Sequence, residues 1–472
     1  LMRAAEASEN AFDNVSAVNF YTRALDTSAK VDNLSNKTLL EIYEGRGNLL
    51  KRLGKIDQAK ADFEQILQLA GRDTDPVFQM RALSELGKLQ DGYHNYNQVA
   101  QYFERALEIA RMVEDKPGIV DTLSELGEFH INMGQLTQAK TYLDEALEIA
   151  TELGNKQRIT SSQNGLATIL LHQGNTAASI KRFEELAQTW RNLGDYQGLM
   201  RAYIALTRAY TFQANYAKSD EICRDAMEIL DRFGDMNWVP QFRYYLAYNA
   251  FARGHFDTAD AHIKETIETA QKLGKGIWHA IGLAYRGYYH LRQGLFETAQ
   301  LEIQQAVEMA EAIGSPLWTS RIKIVQGIAH RYNNNLAEAE TILTAIQQNI
   351  QTMGFLPDEA TVLSELLEVY IAAGAWDKIP AKLERLQDLA ILGDVKAYQA
   401  KALFISAQLA HYNRDYEATA GLLAQAKNIV EATGDRLIEF AIKRTLAHVL
   451  TTQGQLKQAQ TTLQQAHKIL LQ

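Results

Sequence analysis

Aromatic and arginine side chains are the residues of this sequence best suited to binding chemistry. Trp238, Trp278 and Trp318 recur at steps of 40 residues. Arg292 and Arg321 lie at helical spacing from members of this row. Arginine binds carboxylate and phosphate through two parallel hydrogen bonds, and aromatic faces take planar or apolar groups. The pattern therefore favours a ligand or partner that combines an apolar part with an anionic group.

The three tryptophans, here called the tryptophan row, have two interpretations. They could line a binding surface, since aromatic residues and arginine are frequent anchors of interfaces. They could equally fill a widened gap between successive packed elements, because large aromatic side chains are often part of a core. The sequence leaves both interpretations open.

Residue patterns for catalysis are missing from the sequence. It has no phosphate-binding loop, zinc-protease helix, nucleophile elbow or calcium loop. Cys223 falls in a column of bulky apolar residues and is interpreted as a buried structural thiol. His130, His290 and His330 share one column without a second ligand one helical turn away, which disfavours a metal site. We predict no enzymatic activity, no cofactor and no metal.

Composition narrows the class of protein. The 472 residues include only 29 glycines and 6 prolines, which predicts a mostly helical chain with few long loops. A single cysteine excludes a disulfide scaffold, and a net charge of −9 disfavours direct nucleic-acid binding. No apolar run reaches the roughly 18 residues of a membrane span, so we expect a cytoplasmic protein. Because the chain opens on Leu1 inside a helical pattern, we also expect it to derive from a longer protein.

The whole chain follows a 40-residue period. Turn-forming residues recur in one register from Gly54 to Gly454, with His94, Ala214, Asn334 and Arg414 at the positions that lack glycine. Other columns alternate small and bulky apolar residues at helical spacing. Each unit is therefore predicted to be two antiparallel helices that bury their apolar faces against neighbouring units.

We predict one continuous array of about twelve such helix pairs over residues 1–472. The expected repeats are 1–32, 33–73, 74–116, 117–156, 157–196, 197–236, 237–276, 277–316, 317–357, 358–395, 396–436 and 437–472.

The columns resemble the tetratricopeptide repeat. Leu126-Gly127, Gly134, Ala139, Leu143 and Ala146 match the family's characteristic positions, although the unit is six residues longer than the usual 34. The resemblance implies an all-α, right-handed superhelical solenoid. It implies little about activity, because a fold does not fix a function.

A second resemblance comes from the first helical segment, from Arg3 to Leu25. It is similar to the start of the helical-repeat sensor region that follows the ATPase module in bacterial STAND signalling ATPases. This resemblance implies a sensor or interaction region of a larger signalling protein, whereas a free-standing adaptor is the alternative.

In such an array the first helix of each pair usually lines the concave surface. Repeats two to four then give an acidic or mixed lining, with Glu41, Glu44, Lys51, Asp91, Asp121 and Glu128. Repeats six to nine give an aromatic and basic lining, which is our candidate binding site. Its members are Arg201, Arg208, Trp238, Gln241, Tyr244, Tyr248, Trp278, Tyr288, Arg292, Trp318 and Arg321. A protein or peptide is the expected partner and a small anionic ligand the second choice, while the oligomeric state stays open.

Overall fold

The computed structural model of the protein describes residues 1–28, 34–70, 75–90 and 96–470. Within these ranges the chain forms 24 α-helices, one short 3-10 helix at Trp376–Lys378 and no strand. The first twelve helices are α1 Met2–Asn10, α2 Asn14–Ser28, α3 Asn36–Arg52, α4 Ile56–Ala70, α5 Pro76–Gln90, α6 Tyr96–Met112, α7 Lys116–Asn132, α8 Leu136–Glu152, α9 Lys156–His172, α10 Thr176–Leu193, α11 Tyr196–Phe212 and α12 Tyr216–Phe233. The other twelve are α13 Val239–Ala252, α14 Phe256–Lys272, α15 Gly276–Arg292, α16 Phe296–Ile313, α17 Pro316–Tyr332, α18 Leu336–Met353, α19 Leu356–Ala373, α20 Ile379–Leu392, α21 Lys396–Tyr412, α22 Tyr416–Thr433, α23 Arg436–Thr452 and α24 Leu456–Leu470.

The helices form the predicted helical solenoid. Each helix packs against the next along the chain, and from α5 onward each odd-numbered helix also contacts the next odd-numbered helix. The odd-numbered helices thus form a continuous layer, as expected for an array of antiparallel pairs. A hydrophobic core runs between the pairs from Val99 in α6 to Ile405 in α21.

Left-handed backbone conformations end the helices at the predicted turns. The predicted turn glycines, such as Gly134 with a φ of 76°, lie in this region. Ala214, Asn334 and Arg414 hold the same position without glycine and have φ values of 58°, 58° and 62°. His94 lies outside the described residues. The sequence register therefore predicted the backbone turn even where the residue type does not favour it.

Replacing Arg414 by glycine is expected to stabilise the protein. The left-handed conformation strains a residue with a Cβ, and the exposed Arg414 makes no ion pair with any described residue. Glycine loses more chain entropy on folding than arginine does, and this offsets part of the relief of strain. We therefore expect chemical denaturation to give a free energy of unfolding that is about 0.5–1 kcal/mol higher for Arg414→Gly than for wild type. Arg414→Ala keeps the strain and should give no gain. Equal free energies of unfolding for the two variants would contradict this explanation.

Small and bulky columns meet where the two helices of a pair approach most closely. A Cβ added at Gly127 in α7 would lie 2.6 Å from Leu143 Cγ in α8. The equivalent Cβ at Gly87 would lie 2.6 Å from a ring carbon of Phe103. Such distances are far below van der Waals contact, so glycine permits the close packing of these pairs. The prediction that small residues allow close approach is confirmed.

The superhelix winds tightly enough for successive turns to touch. Asn14 Nδ2 donates to the carbonyl oxygen of Phe233 at 3.2 Å, and Tyr216 Oη donates to Asp435 Oδ2 at 3.2 Å. Both contacts join residues 219 positions apart, about five and a half repeats. Together with the contacts over 183 residues described next, this spacing gives about five helix pairs in one turn of the superhelix.

Contacts between residues 183 positions apart also close the turn. Ser315 Oγ donates to the carbonyl oxygen of Asn132 at 3.5 Å, and the rings of His172 and Phe355 lie 4.3 Å apart. The inner layer therefore encloses a narrow central space rather than a wide open groove. This closure determines which side chains can meet inside.

Candidate ligand site inside the superhelix

A cavity of about 390 Å³ lies among the odd-numbered helices, and we call it the central cavity. Residues from α3, α5, α7, α9, α11, α13, α15 and α17 contribute to its wall. Its aromatic and ionisable lining includes Lys51, Lys88, Glu125, Glu128, His172, Arg201, Arg208, Trp238, Trp278 and Trp318, and its neutral polar lining includes Ser124, Asn164, Gln197 and Gln241. The closure of the superhelix thus brings the mixed lining of the early repeats opposite the aromatic lining of the later ones.

The tryptophan row lies on the cavity wall with all three side chains half-buried. The Trp278 and Trp318 rings are 5.4 Å apart at an angle of 62°. In the amide orientation that satisfies its neighbours, Gln241 accepts from Trp278 Nε1 at 3.1 Å and donates to the carbonyl oxygen of Trp238 at 3.1 Å. The row therefore packs partly against the core and presents its remaining surface to the cavity, so each sequence interpretation describes part of it.

Local structure at the start of α13 positions Trp238. Asp235 Oδ1 accepts from the backbone N–H of Asn237 at 2.8 Å, and α13 begins at Val239, after the turn that this hydrogen bond stabilises. Gln197 donates to Asp235 Oδ2 at 2.8 Å and accepts from Trp238 Nε1 at 3.4 Å. A hydrogen-bonded chain from α11 thus orients the indole ring.

Tyrosines pack behind the tryptophan row. The Tyr244 ring lies 5.0 Å from Tyr245, 5.0 Å from Tyr285 and 5.9 Å from Trp278. Burial raises the pKa of Tyr244 well above its ordinary value, so the phenol stays neutral. Tyr244 and the half-buried Tyr248 belong to this supporting layer rather than to the cavity wall.

Three other candidate residues also lie outside the cavity lining. Arg321 forms a bidentate pair with Asp358 at 2.7 and 3.0 Å, while its guanidinium lies 4.7 Å from the Trp318 ring centroid. Arg292 is exposed, and its Nη1 donates to Tyr332 Oη at 2.7 Å. Tyr288 packs against other aromatic rings of α13 and α15. The remaining six, Arg201, Arg208, Trp238, Gln241, Trp278 and Trp318, line the central cavity.

An ion-pair network crosses the cavity wall between early and central repeats. Glu85 bonds to Lys51 and, at 3.1 Å, to Lys88. Glu125 lies 3.0 Å from Lys88 and 3.7 Å from Arg201. Burial alone would raise the pKa of Glu85, but the two lysines lower it to about 2. The network therefore holds its charges in fixed places around the cavity.

The acid dependence of stability should reveal this network. The pKa of Glu85 is lower in the folded chain than its ordinary 4.5. The contribution of Glu85 to the free energy of unfolding is therefore complete above about pH 5 and decreases toward pH 2. The difference in free energy of unfolding between wild type and Glu85→Gln should therefore shrink as pH falls from 5 to 3. Thr137→Ala, a change of an exposed side chain on α8 that does not titrate, should show a constant difference. A pH-independent difference for Glu85→Gln would contradict the network.

Several polar residues of the cavity were not predicted from the sequence. Ser124 and Asn164 occupy the same repeat position in α7 and α9, ten residues before the turn. Glu44 and Tyr244 of the predicted lining hold the same position in their repeats. Lys88 and Glu125 also line the cavity. Their roles could not be foreseen because both are paired with residues of other repeats. Asp91, assigned to the mixed lining, lies outside the described residues.

The residues considered for catalysis lie in structural environments. Cys223 is fully buried, and burial raises the pKa of its thiol to about 12. His130 is buried against Tyr142, and His290 Nδ1 lies 2.8 Å from Glu302 Oε2. Among the described residues, no group of three or more histidine, cysteine, aspartate or glutamate side chains is placed to hold a metal. No helix in the described part of the chain is long and apolar enough to cross a membrane.

Comparison with known proteins supports the repeat assignment. Three tetratricopeptide-repeat family models match residues 158–232, residues 40–73 and 120–152, and residues 240–265. Over these residues the matches agree with the resemblance to the tetratricopeptide repeat that the columns indicated. No curated protein matches the sequence.

Solved structures with low sequence identity have similar helical arrays. A Rap protein complexed with competence and sporulation factor is 13% identical, with a TM-score of 0.55 over 74% of this chain and 97% of its own. Aspartyl phosphate phosphatase F from Bacillus subtilis is 14% identical, with a TM-score of 0.45 over 74% and 92%. A signal transduction ATPase with a tetratricopeptide repeat sensor, from Pyrococcus horikoshii, is 14% identical, with a TM-score of 0.40 over 86% of this chain and 56% of its own. The first of these likenesses supports the helical-solenoid fold.

Proposed function

We propose that this chain is a non-catalytic recognition module that binds a protein or peptide partner on the inner surface of its superhelix. The observation that carries the proposal is the tryptophan row, half-buried on the wall of the central cavity next to Arg201 and Arg208. Aromatic residues and arginine dominate the energetics of interfaces when they lie in concave, partly desolvated places. A cavity of this size accepts an anchoring side chain or chain terminus of a partner.

The repeat architecture supports a role in binding. Stacked helix pairs create an extended inner surface from many separate helices, which is the usual binding surface of such arrays. The similarly folded Rap protein forms a complex with competence and sporulation factor, a precedent for partner recognition by this fold. The burial of the thiol of Cys223 and the contact of His290 with Glu302 support a non-catalytic role.

We further infer that the module is the sensor or interaction region of a larger bacterial signalling protein. The resemblance of the segment from Arg3 to Leu25 to the start of STAND sensor regions supports this choice over a free-standing adaptor. The gene provides the test. A reading frame that continues upstream of Leu1 into a phosphate-binding ATPase module would agree with the proposal, whereas a start codon at this position would favour the adaptor.

Selection from a random peptide display library tests the recognition function itself. Peptides enriched on the wild-type chain should bind it in solution and should compete with one another for a single site. A counter-selection on Trp278→Ala should remove them, because that variant lacks the middle residue of the tryptophan row. Enriched peptides that bind both proteins equally would place recognition elsewhere on the chain.

A further inference from the structure

Arg208 carries a charge that no carboxylate neutralises directly. Its side chain projects from α11, is half-buried and lines the central cavity. Its Nε is buried without a hydrogen-bond partner, and no acidic oxygen among the described residues lies within 4.0 Å of its guanidinium. Burial lowers the pKa of Arg208. The charge of Arg321 lowers it further, while Tyr245 and the carboxylate of Asp358 act in the opposite direction. Arginine nevertheless stays protonated in proteins, so Arg208 is a half-buried cation without a carboxylate in direct contact among the described residues.

Several other charged side chains around the cavity have partners of opposite charge. Lys51, Lys88 and Arg201 face three glutamates. Burial raises the pKa of one of these glutamates, Glu128, and a raised pKa can only reduce the negative charge that the three carry together. Arg321 uses both oxygens of Asp358.

His172 adds no compensating charge to the cavity. Burial lowers its pKa well below the ordinary value, and Arg208 and Arg321 lower it further, so the imidazole is neutral. Among the described lining residues whose partners are named above, Arg208 therefore leaves one positive charge unbalanced.

Two more polar atoms on the cavity wall lack partners. Ser124 Oγ and Asn164 Oδ1 are buried and make no hydrogen bond within the described part of the chain. Their helices, α7 and α9, precede α11 in the odd-numbered layer, so these atoms and Arg208 lie on three adjacent inner helices. A buried polar group without a partner costs roughly 1–3 kcal/mol, and such groups are usually satisfied by a ligand or by ordered water. Their common location points to an occupant with hydrogen-bonding capacity.

We propose that the central cavity is a binding site for a small organic anion, whose carboxylate or phosphate pairs with Arg208 and whose planar apolar body packs against the tryptophan row. The guanidinium suits such a group because it donates two parallel hydrogen bonds. Ser124 and Asn164 can bond to further polar atoms of the anion. The volume of about 390 Å³ lies at the lower end of the range for small-molecule pockets, roughly 300–1,000 Å³.

This inference rests on the proposed function only because both use the same inner surface. The anion itself can come from two sources. It can be a free small molecule, which fits the cavity volume, or the carboxylate of a bound peptide. Both sources place the same chemical group at Arg208. Binding measurements on one variant can distinguish them.

Calorimetric titration with benzoate and phenyl phosphate tests the site, with benzamide as the uncharged analogue. We expect at least one anion to bind wild type with one-to-one stoichiometry and benzamide to bind at least about tenfold more weakly, since charged hydrogen bonds are worth about 1.5–3 kcal/mol. Arg208→Met should weaken anion binding by about tenfold or more. Arg182→Met, a change of an exposed arginine on α10, should leave it unchanged. Failure of both anions to bind, or equal affinity of Arg208→Met, would overturn the proposal.

Thermal unfolding of the ligand-free proteins provides a second readout. Because Arg208 is an unpaired buried charge, the melting temperature of Arg208→Met should equal or exceed that of wild type. A clear decrease would reveal a structural partner for Arg208 and overturn the proposal.

Peptides from the display selection distinguish the two sources and the two proposals. If Arg208→Met binds peptide normally but loses benzoate or phenyl phosphate, the anion is a free small molecule. If it loses both, the partner carries the anion. Anion binding without any peptide binding would refute the recognition of peptides and leave the anion site intact.

Discussion

Ala139→Phe is expected to lower the free energy of unfolding by about 3 kcal/mol, because it overpacks the contact between α7 and α8. Ala139 is fully buried on α8. In this same pair the glycine at 127 already permits the closest approach, with room for no Cβ beside Leu143. A phenyl ring has no cavity to enter there, so the helices must separate. Chemical denaturation should measure the loss, and it could appear as a separate early transition because contacts in such arrays are mostly between neighbours.

The adjacent residue supplies the control for this substitution. Lys140 is exposed and pairs with the exposed Asp144, one helical turn away. Lys140→Gln should therefore change the free energy of unfolding by no more than about 0.5 kcal/mol. Equal and negligible changes for both substitutions would contradict the packing of α8 described above.

Trp278→Ala is expected to weaken binding of a selected peptide by roughly 30-fold, which corresponds to about 2 kcal/mol. The indole is the middle member of the tryptophan row and contacts both Trp318 and Tyr244. Its removal deletes apolar surface in the cavity and releases the hydrogen bond to Gln241. Fluorescence anisotropy with a labelled peptide measures the change directly.

Trp376→Ala is a matched control for the loss of a tryptophan. Trp376 is half-buried and stacks on Tyr412 at 4.5 Å, away from the central cavity. This variant should bind the peptide as wild type does. If both tryptophan variants lost affinity to the same extent, the effect would reflect general destabilisation rather than a site in the cavity.

The local structure of this protein could be predicted from the sequence because it depends on residues close together in the chain. Gly134 and Gly174 mark turns in which only glycine is unstrained. The 40-residue spacing between these two glycines also predicts the turns at Ala214 and Arg414. Gly127 and Leu143 are only 16 residues apart, and their types predict which positions of the two helices meet.

The closure of the superhelix could not be predicted in this way. It depends on a small rotation between successive pairs, which accumulates over more than five repeats before Tyr216 meets Asp435. No column of the sequence encodes that rotation. Packing between repeats also has two consequences inside the cavity. Lys88 of α5 pairs with Glu125 of α7, and Arg208 is left without a carboxylate beside it. The candidate site was therefore predictable as an aromatic and basic face, but not as a cavity in which Arg208 has no carboxylate partner among the described residues.

A crystal structure of the chain with its tightest selected peptide tests the central claim most directly. The account predicts electron density on the inner surface, with an anchoring group in the central cavity against Trp238, Trp278 and Trp318. Peptide bound to the outer, even-numbered helices, with an empty inner surface, would contradict the claim that this superhelix recognises its partner from within.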